Sequence, residues 1–143
     1  MTAALPSTAP GADILICGAG PAGLALACAL HDRGWSVAVL EQADAGALAS
    51  PADDGREIAL THRSRRLLES LGLWARFSEV SPLRRASVRS SGSRQPLPFE
   101  SDGQDLGWLV PNHAIRAAAW AGAVVRGIPV HTGHAVVALA EGG

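Results

Sequence analysis

The chain has 143 residues, 48% of them hydrophobic and 17% charged, with a formal net charge of −1. That length supports one domain with a real core, and the near-neutral balance gives no reason to expect a nucleic-acid partner. All twelve basic residues are Arg and they gather in the middle: residues 1–55 hold one Arg against six acids, 56–94 nine Arg against three Glu, and 95–143 two Arg against four acids. A basic middle reads first as solvated helix and hairpin faces, with an anionic cofactor, NADPH or an anionic membrane surface as the alternatives.

Residues 1–12, MTAALPSTAPGA, carry two prolines and no apolar core. They read as a disordered tail rather than a signal or transit peptide. No apolar run is long enough to span a bilayer. The two cysteines, Cys17 and Cys28, show no CxxC or other metal-binding spacing. Both are expected as small buried hydrophobes in a reduced, cytoplasmic protein, with no metal site.

Asp13–Cys17 (DILIC) is a short apolar run that suits a strand buried on both faces of a parallel sheet. A glycine turn follows, and Pro21 opens a helix through Arg33, with Gly34 as its stop. Ser36–Leu40 (SVAVL) is the second strand, which completes a βαβ unit of about 30 residues. Residues 43–55 read as loop and Glu57–Leu60 as a short extended piece. Thr61 caps a helix through Leu71, with Leu67, Leu68 and Leu71 on its apolar face and Arg63, Arg66 and Glu69 toward water. Leu73–Glu79 holds a further short helical turn. From Pro82 the texture changes: RRASVRSSGSRQPLPFE alternates like a β-hairpin with SSGS at its tip, and DLGWLVPN is a strand ending at Pro111. Asn112–Arg126 is helical, with Ile115, Ala119 and Gly122 on one face, and Gly127 closes it. Ile128–Val130 and Ala135–Leu139 are two final strands, which would send His131 and His134 to opposite sides of a sheet.

The turn CGAGPAGLAL carries the chemistry. Gly18 lets the chain leave the strand sharply, Gly20 lets backbone approach a pyrophosphate, and Gly23 lets helix and sheet pack closely. The helix N-terminus then offers free N–H groups to phosphate. Glu41, separated from Gly23 by 17 intervening residues and standing at the end of the second strand, can accept hydrogen bonds from ribose hydroxyls and would repel a 2′-phosphate. Because the glycines follow a strand, open a helix and precede an acid, the pattern predicts a dinucleotide site. The turn serves NAD and FAD alike. QADAG after Glu41 lacks the R-x-G-G of amine-oxidase-like flavoproteins, and no cysteine follows Cys28, which excludes a disulfide reductase.

Two further stretches carry a family resemblance. GREIALTHRSRRLLESLGLW (Gly55–Trp74) and LGWLVPNHAIRAAAW (Leu106–Trp120), with the opening DILICGAGPAGLALACAL, resemble class A FAD-dependent aromatic-ring monooxygenases. The match is nearest to the ubiquinone-biosynthesis hydroxylases of the UbiH/UbiF/VisC type. It runs from about Asp13 to Val137. Trp108 stands where the family often has Tyr, and Pro111 where it often has Glu.

The resemblance implies an α/β, Rossmann-like FAD-binding fold over residues 13–81 and 111–143, with residues 82–110 as a hairpin insert that starts a β-rich substrate domain. It places Gly18, Ala19, Gly20 and Ala22 along the pyrophosphate, Glu41 at the adenosine ribose and Val136 beside the adenine, and it counts Gly23 and Gln42 among the cofactor-binding residues. Arg56 matches the arginine that reaches the FAD phosphate and flavin region, with several charge-assisted donors to offer a pyrophosphate. Asn112 sits at a helix start where the family sets a polar residue against the ribityl chain, and it is equally a natural helix cap; Arg116 follows one turn on. Asp53-Asp54-Gly55 does not match the family's later Asp-Gly motif.

The implied chemistry is ring hydroxylation through a flavin C4a-hydroperoxide, with NAD(P)H as transient reductant, O2, and a small aromatic substrate such as a prenylated quinone precursor. No catalytic side chain is assigned. Peripheral association with the inner membrane, or with a multi-enzyme complex, is compatible with that family. Phenol, polyketide and isoprenoid substrates remain open. The family's later motifs are absent, so the chain is expected to be a truncated N-terminal portion, with a fragment that binds no cofactor as the alternative.

Overall fold

The computed structural model describes residues 11–92 and 95–138, so the expected tail up to residue 10, Ser93 of the hairpin tip and Leu139 lie outside the described residues. The chain divides into two compact units, Met1–Ala52 with Arg116–Gly143, and Asp53–Ile115.

The first unit is built on three parallel strands, β1 (Ile14–Cys17), β2 (Val37–Leu40) and β8 (Val130–His131), in the order β1-β2-β8. Ile14 pairs with Val37 and Cys17 with Leu40 on one side of β2, and Val39 pairs with Val130 on the other. All four residues of the central strand are buried, which is why it reads as an unbroken apolar run. β1 corrects the expectation of burial on both faces. It is a sheet edge, and only Ile16 is buried, while Leu15 is half-exposed and Cys17 is exposed. Ile16 faces helix α1 (Pro21–His31), whereas Leu15 and Cys17 point the opposite way.

Helix α1 buries Leu24, Ala27 and Cys28. It ends at His31, and Gly34 then takes φ +87 to turn the chain into β2. A short helix, α2 (Ala45–Ala49), follows, its N-terminus capped by the Asp44 side chain. Helix α4 (Asn112–Val125) buries Ala118, Ala119 and Ala123 and stops at Gly127, whose φ is +66. The N–H of Gly127 then donates to Val124 O and that of Ile128 to Ala123 O, which satisfies two terminal carbonyls. Arg126 reaches back to α1, with Nε and Nη2 each 2.7 Å from an oxygen of Asp32.

Residues 135–138 form no strand, contrary to expectation. The cause is the turn at Thr132–Gly133. Gly133 N–H donates to Ala43 O and His134 N–H to Glu41 O, so the chain crosses the end of β2 instead of running on beside it. His131 and His134 consequently do not face opposite sides of a sheet; their rings meet edge to face at 6.4 Å.

The second unit holds β3 (Glu57–Leu60), α3 (His62–Ser70), a single 3₁₀ turn (Trp74–Arg76), β4 (Ser81–Leu83), β5 (Arg85–Val88), β6 (Leu97–Glu100) and β7 (Gly107–Pro111). One antiparallel sheet has the order β3-β7-β4, and β5 and β6 form the hairpin. Thus strand 57–60 shares a sheet with segments from both ends of the 82–110 stretch. Thr61 caps α3 by accepting from the Ser64 N–H. Leu68 and Leu71 are buried, but Leu67, expected beside them, is half-exposed, because α3 turns the Leu68–Leu71 side inward. Arg65 lies over Trp108 at 4.4 Å and Trp74 at 5.0 Å, while its Nε donates to Glu69.

Candidate functional site

In the first unit the three glycines answer to three different constraints. Gly18 leaves β1 with φ +99, a conformation that L side chains rarely adopt, while its N–H donates to Leu40 O at 2.7 Å. A Cβ on Gly23 would collide with the carbonyl oxygen of Gly18, so backbone contact between turn and helix excludes any side chain there. Gly20 is constrained by neither. It is the N-cap of α1 with φ −70 and ψ 173, open to any residue, and a Cβ there would meet nothing within 4 Å. The space over Gly20 is left open, and no side chain caps the helix behind it. Gly20 and Ala22 are exposed, so the N-terminal N–H groups of α1 face an accessible surface.

Glu41 stands directly after β2. Its Oε2 accepts the N–H of Ala19 at 2.6 Å and its Oε1 the N–H of Ala43 at 2.8 Å. These bonds, that from Ala43 most of all, hold its carboxyl below the usual range, and the charge of half-buried Arg116 adds a smaller pull. The family resemblance implies that Ala19 lies along the pyrophosphate. Its N–H is instead directed at Glu41, so the acid and the glycine turn are joined before any ligand arrives. A cavity of about 220 Å³ opens beside the pair, lined by Gly18, Glu41, Gln42, His134 and Val136 among others. The cavity thus brings together Gly18, expected at the pyrophosphate, with Glu41, Gln42 and Val136, while Arg116, expected beyond Asn112, acts on Glu41 by charge.

In the second unit Arg56 and Asn112 meet through a residue that the motif reading set aside. Asp54 Oδ2 accepts from Arg56 Nε at 2.8 Å and from Asn112 Nδ2 at 2.7 Å, and Arg56 Nη2 lies 2.6 Å from the same oxygen. Asp54 Oδ1 accepts the backbone N–H of Arg56 at 3.1 Å. Arg56, then Asn112, drive the Asp54 carboxyl far below the usual carboxylate range. The N–H of Asn112 donates to Arg56 O, which ties the start of α4 to the start of β3. Asn112 is the first residue of α4 and is buried, so its side chain serves Asp54 rather than standing free. The local signal for Asp54 was present in D-D-G-R, where Asp53 and Asp54 each cap the N–H two residues on. Its partner Asn112 is 58 residues away, which no local pattern reveals. His113 Nδ1 is buried 3.3 Å from Asp53 Oδ1 without hydrogen-bond geometry. Among the described residues no group of three or more His, Cys, Asp or Glu could hold a metal ion, and no helix is long and apolar enough to cross a membrane.

Residues 11–143 match the family model for the FAD binding domain. Over 117 residues the chain is 44% identical to ubiquinone hydroxylase UbiM of Neisseria meningitidis, covering 76% of this chain and 25% of that protein. It is 38% identical over 111 residues to ubiquinone hydroxylase UbiL of Rhodospirillum rubrum, covering 75% and 26%. Among solved structures, the anhydrotetracycline hydroxylase OxyS of Streptomyces rimosus superimposes with a TM-score of 0.66 at 31% identity, over 92% of this chain and 26% of that one. The chain spans about a quarter of the length of the curated relatives it matches.

Proposed function

Because this chain belongs to the FAD binding domain family of class A flavoprotein monooxygenases, we propose that it is the FAD-binding portion of a NAD(P)H-dependent monooxygenase that hydroxylates an aromatic ring. A ubiquinone precursor is the substrate we favour. The observation that carries the cofactor reading is the turn at Gly20, open in space and in backbone angle beside an uncapped helix N-terminus, with Glu41 Oε2 held 2.6 Å from the N–H of Ala19, the preceding residue of the same turn. A pyrophosphate suits that surface through the N–H groups of α1 and its dipole. Glu41 retains lone pairs for ribose hydroxyls, and its charge disfavours a 2′-phosphate there. Gln42 and Val136 line the same cavity and would border the adenosine.

Arg56 and Asn112 are proposed for the remainder of the cofactor. The Arg56 side chain is 68% exposed, and its Nη1 meets no acidic oxygen among the described residues, so it can still receive a phosphate oxygen. Residues 82–110 would open the substrate domain. FAD, when bound, would supply the oxygen-activating redox chemistry; the residues here bind, orient and shield it.

The test is direct. The purified 143-residue chain is titrated with FAD and followed by quenching of flavin fluorescence and by the visible spectrum. Stoichiometric quenching supports the cofactor reading, and unchanged free-flavin fluorescence overturns it. The substrate reading is favoured by the two ubiquinone hydroxylases among the relatives. A polyketide substrate is the second reading, supported by the likeness to OxyS. Deleting the gene separates them: loss of ubiquinone with build-up of an under-hydroxylated precursor supports the first, while intact ubiquinone with loss of an aromatic polyketide supports the second.

A further inference from the structure

Asp54 has no place in the motif that assigns Arg56 and Asn112, yet its carboxylate accepts a hydrogen bond from each of those side chains. We infer that Asp54 is a positioning residue, whose carboxylate holds Arg56 and Asn112 in the orientation in which they meet the cofactor. This rests on the FAD-binding reading above.

The argument starts from the guanidinium. It has five N–H donors in a fixed plane. Asp54 engages the Nε and Nη2 edge and leaves Nη1 uncommitted among the described residues. A mostly exposed arginine samples many rotamers, and a ligand that fixes it must bear the lost freedom. Gripped along one edge, the group is already aimed when a phosphate arrives. The same oxygen receives Asn112 Nδ2, which fixes the amide and directs its carbonyl oxygen away from Asp54.

An isolated surface pair would contribute little. Here the carboxylate is shared with a buried side chain from α4 and is also fixed by the Arg56 backbone. One effect opposes the proposal: the negative charge of Asp54 repels an incoming phosphate. The sign of the mutational effect therefore decides whether orientation or repulsion dominates.

FAD affinity is measured for the 143-residue chain and for its Asp54→Ala and Asp54→Asn variants, with a thermal melt of each. The isosteric Asn variant keeps one acceptor oxygen and serves where Ala does not fold. Orientation predicts weakening on the order of tenfold for Ala, the scale of one charge-assisted bond, and a smaller loss for Asn. In an Arg56→Ala/Asn112→Ala background, Asp54→Ala should add no further loss, because the residues it acts through are gone. Unchanged or tighter binding overturns the proposal. So does an equal loss in both backgrounds, which marks a purely structural role. A parent chain that binds no FAD overturns the cofactor reading, and this proposal with it; a parent that binds while the Asp54 variants match it sinks the proposal alone.

Discussion

Glu41 and Ala19 are 22 residues apart, and the carboxylate of one holds the backbone N–H of the other at 2.6 Å. The acid at the end of β2 is thus an internal brace for the glycine turn after β1, in addition to any role toward a ribose. A brace of this kind couples the two halves of the dinucleotide signature through one side chain.

Replacing Glu41 should therefore harm the fold as well as the ligand. Glu41→Ala leaves the Ala19 and Ala43 N–H groups without their acceptor and should cost about 1–3 kcal/mol. The folded carboxyl lies below its ordinary value of 4.5. Its contribution is then complete above that value and is lost as pH falls through the lowered folded pKa. Melting curves at pH 7 and across the acid range should converge for parent and Glu41→Gln at low pH; parallel curves would deny the brace.

Gly20 and Gly23 should separate function from folding. Gly23→Ala drives a Cβ into Gly18 O and should destabilise the chain by about 2 kcal/mol or more. Gly20→Ala meets nothing and has allowed angles, so the melt should move by less than about 1 kcal/mol. FAD affinity should nonetheless drop about tenfold or more in the second variant if Gly20 receives the pyrophosphate as proposed, because a methyl would then stand in its path. Equal melts for both variants would contradict the collision read at Gly23.

The two thiols should differ sharply. Cys28 is buried, and burial above all raises its thiol pKa, while Cys17 is exposed. A thiol reagent added to the native chain should label one cysteine quickly and the other only on unfolding. Peptide mapping should place the fast label on Cys17, and fast labelling of Cys28 would show that α1 opens readily.

Arg126 joins the ends of α4 and α1. Arg126→Ala removes both contacts to Asp32 and one to Gly122 O, and should cost about 1–2 kcal/mol. Asp32→Asn should cost less, since Arg126 keeps the Gly122 carbonyl and its packing. Chemical denaturation of both variants gives the ranking, and a larger loss for Asp32→Asn would reverse it.

Much of the first unit was legible in sequence because its information is local. The glycine spacing, Pro21, the apolar run of β2 and the glycine stops act within a few residues, and φ values of +99 at Gly18 and +66 at Gly127 match that reading. The family resemblance was legible for the same reason, in short stretches of fixed spacing. Tertiary structure decided what depends on distant neighbours. Whether Cys17 is covered depends on which strand lies at the sheet edge, and whether residues 135–138 extend the sheet depends on Ala43 and Glu41 accepting from the turn at Gly133. Asp54 is the clearest case. Its local hydrogen bonds could be read from D-D-G-R, but its bond to Asn112 exists only because the pairing of β3 with β7 brings the start of α4 to Arg56. A hydrogen bond reaches about 3 Å in space whatever the separation in sequence, so only the folded chain could disclose that partner.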